Sequence, residues 1–328
     1  MIGVAALVIT LSVMNGFESE VRDRIIGADA HIKVTLFHEM PMVEWRAPLD
    51  TLRRLTNVVG ATPYVQGKGM IRKGTRIEGI VIKGVDPATV GEVGDLPKTI
   101  VAGAMIFRGN SDPKSGTEMP GIILGRQVSF RLDATIGDTV ILISPAGLTS
   151  LLSTPRLMRF NVTGVFETGI YEYDDAFAHV ALADAQEFFE FSNAISGIEL
   201  RLNRMEYADR VARRIEEVLR YPYFPRTWHD MHQTLFRWMK IEKWLYTILL
   251  SLIILVAAFN IVSSQIMVVL EKKREIGILK AIGATQEVIL KVFLFEGLIV
   301  GVVGTVLGLV LGWALCRAQQ TYKFFSLP

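Results

Sequence analysis

Two long apolar runs in the last third of the chain constrain its fold more than any other feature. Residues 245–269 (LYTILLSLIILVAAFNIVSSQIMVV) contain no charged side chain, and residues 292–315 contain only Glu296. As helices rising about 1.5 Å per residue, each reaches roughly 36 Å, enough to cross a hydrocarbon layer of about 30 Å with some tilt. The buried helix of a soluble protein seldom stays uncharged over such a length, so both runs are expected to span a membrane. Between them lies EKKREIGILKAIGATQEV, with Lys272, Lys273, Arg274 and Lys280 close to the membrane exit. Short loops rich in Lys and Arg stay in the cytoplasm, which puts this connector inside and the large region before it outside.

Half of the 328 residues are hydrophobic, and the excess over a soluble protein sits in these runs. The remainder leaves room for one or two water-soluble domains. A net charge of +2 gives no ground for a nucleic-acid partner. The single cysteine, Cys316, excludes an intrachain disulfide and a thiolate metal cluster.

The first residues, MIGVAALVITLSVM, are apolar but make only about 21 Å of helix, too short to span. They lack the basic start and small-residue cleavage site of a signal peptide, and are expected to be the second half of a transmembrane helix. Residues 323–328 stop just after a span, so the chain reads as a fragment of a longer protein. In NGFESEVRDRIIGADAHIKV the alternating charges around Val21, Ile25 and Ile26 suggest a stalk helix ended by Gly27. Strand periodicity follows at residues 31–37, 75–85, 139–144, 159–167, 176–182 and 198–202, and helical periodicity at 49–55, 121–132 and 206–219. Tyr171 to Asp175 reads as a hairpin turn, and YPYFP at 221–225 as a break. From Thr227 a second stalk helix is expected to run unbroken into the first long span, with Trp238 and Trp244 at the interface. Strands and helices that intermix without a repeating β-α-β order predict an α+β domain.

Sites for chemistry are weak. GATPYVQGKG (60–69) and GMIRKGT (69–75) both miss the GxxxxGK[ST] spacing that cradles phosphates, so the chain is not expected to hydrolyse ATP. His229 and His232 sit at i, i+3 without an evident third ligand, and a structural stalk is the better reading; no metal is expected. Asp174-Asp175 reads as a solvated turn, and no Gly-x-Ser-x-Gly elbow occurs. The helix-forming apolar run at the end carries Gly297, Gly301, Gly304, Gly308 and Gly312, mostly four apart. Small residues at that spacing let helices approach closely, either within the chain or between subunits. Asn260, Ser263, Ser264 and Gln265 need partners inside the bilayer. The connector is expected to form a short helix ended by Gly283, with Thr285 capping the next span. An orientation anchor needs only charge, yet this one adds Ile276, Ile278, Leu279 and Ile282, which suits docking into a groove on a cytoplasmic protein.

The stretches LSVMNGFESEVRDRIIGADAHI, GIILGRQ with IGDTVILISPAG, RFNVTGVFETGIYEYD and AAFNIVSSQIMVVLEKKREIGILKAIGAT resemble permease subunits of the lipoprotein-releasing ABC transporter (LolC/LolE type), within the FtsX/MacB-like permeases. The similarity runs over essentially the whole chain. It implies a multi-pass protein of the bacterial inner membrane: α-helical transmembrane spans with a large α+β periplasmic domain inserted between the first and second. The implied segments are a truncated first span at 1–14, the periplasmic domain with its stalks at 15–243, a span at 244–270, a coupling helix and loop at 271–287, a span at 288–316 and the start of a loop at 317–328, with the fourth span missing. Two such subunits, identical or homologous, would bind a separate ATPase pair that holds ATP and magnesium; no cofactor is implied in this chain.

The resemblance assigns the coupling helix to Glu271, Lys272, Lys273, Arg274, Glu275, Ile278, Leu279, Ile282 and Gly283. It puts Thr10, Met14, Tyr246, Leu249, Leu250 and Ile253 on a lipid cavity. The hook for a periplasmic lipoprotein carrier falls at 145–157, with Pro145, Leu148, Leu151, Leu152 and Pro155. The implied cargo is triacylated lipoprotein lifted from membrane lipid. Two alternatives remain, a MacB-like periplasmic exporter and an FtsX-like subunit that transmits force to a cell-wall hydrolase.

Overall fold

One sixteen-residue strand, β2 (Val58–Lys73), fixes the register of most of the domain that precedes the two long apolar helices. The structure is a computed structural model that describes residues 1–28, 30–111, 118–144 and 155–322. It divides into two units, residues 1–20 with 234–328 and residues 21–233. In the second unit the strands are β1 (Ile32–Leu36), β2, β3 (Arg76–Val85), β4 (Ile100–Gly103), β5 (Arg108–Ser111), β6 (Glu118–Gly125), β7 (Thr139–Ile143), β8 (Leu157–Phe166), β9 (Phe177–Ala181), β10 (Gly197–Leu202) and β11 (Tyr223–Thr227). They pair in the order β11-β1-β10-β2-β3-β9-β6-β8-β4, with β5 beside β6.

On one side β2 pairs with β3 from Tyr64 to Lys73. On the other it pairs with β10 up to Tyr64 and then with β7 at Met70–Arg72. Because β7 also pairs with β8, strands β2, β3, β9, β6, β8 and β7 close into a ring, and β10, β1 and β11 extend from the first half of β2. Length is what lets one strand serve both arrangements.

Helices α2 (Arg46–Arg53), α4 (Arg126–Leu132), α6 (Leu182–Phe188) and α7 (Ala208–Leu219) supply apolar residues to the main core. In α7 these are Val211, Ala212 and Ile215, at the i, i+3/i+4 spacing of one helix face. The main core includes Ile32, Val34, Val65, Ile82, Phe160, Ile198 and Leu200. A smaller cluster of Val85, Phe107, Ile123, Phe166 and Val90, the last on α3 (Val90–Val93), lies apart from it. Successive residues of β6 serve the two in turn: Ile122 and Leu124 the main core, Ile123 the smaller one.

That double burial explains why residues 121–132 read as one helix. A strand covered on both faces loses the apolar-polar alternation, so GIILG is a strand and only Arg126–Leu132 is helical. Strand β2 escaped notice for a related reason. Its GATPYVQGKG contains three glycines and a proline, which weaken a strand on propensity, but tertiary closeness demands them: a Cβ at Gly67 would stand 2.6 Å from the Phe189 ring, and one at Gly69 would stand 2.7 Å from Ile82.

The stretch at 171–175 is not a hairpin but helix α5 (Tyr171–Ala176), and Asp174 is buried rather than solvated. Its carboxylate accepts from Thr168 N at 2.7 Å, Thr168 Oγ1 at 2.9 Å and Gly169 N at 3.2 Å, while Asp175 pairs with Arg131. YPYFP does end α7, but its second half enters the sheet as β11, opposite β1. The second stalk is also interrupted. Thr227 and Asp230 form a reciprocal capping box that starts helix α8 (Trp228–Met231) directly from β11, and α8 ends at His232, whose φ/ψ are non-helical, before α9 (Gln233–Glu271).

Two carboxylates at these strands are paired with lysines. Glu199 on β10 receives Lys83 Nζ at 2.7 Å and Lys33 Nζ at 3.3 Å. Asp138 takes Lys73 Nζ at 2.6 Å, which with the Thr135 amide lowers its pKa to about 2. His179 on β9 is buried, and desolvation, aided by nearby Lys83, pushes its pKa down to about 3 from 6.5. The folded histidine therefore stays neutral while the unfolded one protonates, so stability is full above about pH 6.5 and declines as pH falls toward 3. The slope approaches about 1.4 kcal/mol per pH unit in that window. Thermal melts of the detergent-solubilised chain at descending pH should show this decline, and His179→Gln should flatten it.

Candidate functional site

The connector between the two long apolar helices is built by local rules. Helix α9 ends at Glu271, α10 spans Lys273–Ala281, and α11 (Gln286–Tyr322) begins directly after Thr285. Lys272 Nζ holds Glu275 at 2.8 and 2.9 Å across the start of α10, and Ile276 N donates to Lys272 O at 2.9 Å. At the other end Ala284 N donates to Leu279 O at 3.0 Å and Gly283 N to Lys280 O at 3.1 Å, the paired bonds of a Schellman stop. Gly283 takes φ +102, which a side chain would resist, so a glycine belongs there.

The result is a rigid short helix with charge and apolar surface side by side. Ile278 is 53%, Leu279 50% and Ile282 80% exposed, and Lys273, Arg274 and Glu275 are exposed as well. Glu271 and Lys272 are exposed at the α9 end. All nine residues expected to couple to a partner thus fall on one continuous segment.

Helices α9 and α11 hold the apolar segments 236–271 and 286–319, both long enough to cross a bilayer. The glycines of α11 divide in two. At Gly308 an added Cβ would meet Met1 O at 2.6 Å and Val4 Cβ at 2.8 Å, and at Gly312 it would meet Val8 Cβ at 3.0 Å and Ala5 O at 3.3 Å. Gly304 approaches Met1 more loosely, at 3.5 Å. These three therefore seat the first helix, α1 (Ile2–Ala28), within the chain. Gly297 faces Gln265 Nε2 of α9 at 3.6 Å, whereas nothing lies within 4 Å of a Cβ at Gly301. The close packing of two helices was legible as a four-residue spacing, but not which helix received it.

Thr10 and Met14 lie one turn apart on α1, both half-buried. Tyr246, Leu249, Leu250 and Ile253 share one face of α9 by their i, i+3, i+4, i+7 spacing, and all but the half-buried Leu250 are exposed. Pro145, Leu148, Leu151 and Leu152 lie outside the described residues, and Pro155 is exposed. The base of that loop is well defined: Ile143 opposes Leu157, Ser144 N donates to Arg156 O at 3.0 Å, and Arg156 pairs with Glu187 at 3.0 Å and Glu190 at 3.5 Å.

His229 lies within the capping box of α8 and His232 ends that helix, and among the described residues no group of three His, Cys, Asp or Glu side chains has metal-binding geometry. The T-x-x-D signal of that box, Thr227 to Asp230, was present in the sequence and would have located the α8 boundary.

Comparison with known proteins matches the same two parts. The MacB-like periplasmic core domain family matches residues 1–218, and the FtsX-like permease C-terminal family matches residues 247–327. The lipoprotein-releasing system transmembrane protein LolC of Xylella fastidiosa is 33% identical over all of this chain and 79% of its own length. LolC of Neisseria meningitidis is 32% identical over 98% of this chain and 77% of its own. LolE of Haemophilus influenzae is 27% identical over 98% of this chain and 76% of its own.

The packing reading has a direct check. Gly308→Leu should lower thermal stability by the roughly 1–3 kcal/mol typical of overpacking, while Gly301→Leu should stay within about 0.5 kcal/mol. Equal losses at both positions would contradict the placement of α1. With an inserted MacB-like core, an FtsX-like C-terminal part and likeness to LolC along its whole length, the chain belongs to the LolC/LolE-type membrane proteins of the FtsX/MacB-like permease family.

Proposed function

We propose that this chain is a permease subunit of an ABC transporter that extracts lipoproteins from the bacterial inner membrane and passes them to a periplasmic carrier. The observation that carries the reading is identity to LolC along the full chain rather than over one domain. In this reading residues 15–243 form the periplasmic domain with its stalks, residues 244–270 and 288–316 span the membrane, and the first span ends near residue 14. ATP and magnesium belong to a separate cytoplasmic ATPase, and a second permease subunit, homologous or identical, completes the complex.

Each part has a physical task. Exposing an acyl chain to water costs about 0.8 kcal/mol per CH2, so triacylated cargo needs an apolar shelter throughout transfer. Thr10, Met14, Tyr246, Leu249, Leu250 and Ile253 would line that shelter, and the loop at 145–157 would receive the carrier. The exposed Ile278, Leu279 and Ile282 would seat α10 in the ATPase while Lys272, Lys273 and Arg274 orient it. Its Schellman stop fixes where α10 ends, so the three apolar side chains keep one face. The MacB-like exporter and FtsX-like force transmitter share only family-level likeness with this chain.

The decisive assay uses the complete protein with its co-expressed ATPase in proteoliposomes. ATP should release a radiolabelled lipoprotein to a soluble carrier, and charge reversal at Lys272, Lys273 and Arg274 should abolish release while the subunit still inserts. ATPase stimulation without any lipoprotein leaving the membrane would retire the extraction reading in favour of the family-level alternatives.

A further inference from the structure

Polar side chains from four strands meet inside the fold on one face of the sheet. Lys33 on β1 stands opposite Glu199 on β10, and Lys83 on β3 stands beside His179 on β9. The ring of Tyr64, on β2 between these pairs, lies 5.8 Å from Lys33 Nζ and 5.7 Å from Lys83 Nζ. Lys33, Lys83, Glu199 and His179 all line one cavity of about 40 Å³, walled elsewhere by apolar side chains such as Val85 and Phe166.

The charges lining this cavity do not balance. Two ammoniums, with side chains 15% and 12% exposed, share the one carboxylate of Glu199, which is 6% exposed. His179 adds no charge at neutral pH, because burial and Lys83 hold it neutral. Its Nδ1 is buried and has no hydrogen-bond partner among the described residues. The carboxylates next to lining residues are spent elsewhere: Asp95 on Lys98 and Arg201, Asp174 on Thr168 and Gly169. Of the lining hydroxyls, Thr99 Oγ1 donates to Leu96 O at 2.9 Å and Thr168 Oγ1 lies 2.9 Å from Asp174 Oδ1. One positive charge and one ring nitrogen are thus left over in a low-dielectric place, where both are costly. The face of Tyr64 offsets only part of that cost.

We propose that this cavity binds a small monovalent anion of halide size, held by Lys33 and Lys83 with His179 donating from Nδ1. Sign and size both follow from the lining. The excess of one positive charge favours a monoanion and repels a metal cation. A volume of about 40 Å³ exceeds the roughly 30 Å³ share of one water, so it admits chloride or bromide and excludes a phosphate ester or a nucleotide. An ion seated there ties β1 and β10 to β3 and β9 across the face of β2. The inference rests on residues 30–199 alone and does not depend on lipoprotein release.

The test melts the full chain in detergent at neutral pH and fixed ionic strength while sodium bromide replaces sodium gluconate, whose anion is too large for the cavity. The midpoint should rise saturably, by about 3–6 °C at ten times the dissociation constant of bromide. Lys83→Met should abolish the rise. Glu199→Gln, which leaves both lysines without their carboxylate, should tighten bromide binding by more than about tenfold, an effect that mere loss of packing does not produce. Crystals grown in bromide should show an anomalous peak in the cavity, and that measurement on the unaltered chain decides the matter if neither variant folds. A midpoint indifferent to bromide, an equal rise in sodium phosphate, an unchanged bromide response in Lys83→Met, or a cavity holding water alone in the bromide crystals would each overturn the proposal.

Discussion

A domain inserted between two helices must deliver its outgoing chain beside its incoming one, and here that demand is met by the pairing of β1 with β11. Ile32 stands opposite Thr227, and the bond from Trp228 N to His31 O joins the two ends of the domain. Much of the adjoining structure is fastened to this pair. His31 Nδ1 accepts from Leu202 N at 3.1 Å, which fixes β10 beside β1, and β10 in turn fixes the first half of β2. Thr227 is buried, and its hydroxyl and amide both bond to Asp230, so the first turn after the sheet inherits the register of β11. Displacing either end would disturb the sheet as far as the ring.

The membrane-facing half of the chain obeys a different economy. Between helices in lipid there is no hydrophobic gain to be had, so association depends on close fit. Gly308 and Gly312 provide it by letting α1 approach to backbone distance, while the face at Gly301 stays open. The connector adds a strongly charged segment with exposed apolar side chains. Its Lys and Arg residues stand beside Ile278, Leu279 and Ile282, all exposed. Charge and exposed apolar surface thus share one short segment, residues 271–283.

The two edges of the sheet are both closed to further strands. At β11 this takes Pro225, the capping box of Thr227 and Asp230, and the bond from Tyr223 N to Arg220 O, all between residues 220 and 230. At the other end β4 has only four residues, a bulge between Ile100 and Ala102, and a stop at Gly103, whose φ is +74.

Much of this was legible before the fold. Uncharged runs declared the long helices, and alternation declared β1, β3, β7, β8, β9 and β10. Position in the sheet defeated the rest. β6 is buried on both faces and so shows no period, and β2 is rich in glycine because Phe189 and Ile82 press against it. Asp174 looks like turn solvent until Thr168 folds over it. Sequence alone determined what each segment can bury and which lengths can cross lipid, because those depend on residues close in the chain. Which strand meets which, that β7 closes the ring, and that Gly308 rather than Gly301 faces α1 were decided only by tertiary structure, because each depends on atoms brought together from distant parts of the chain.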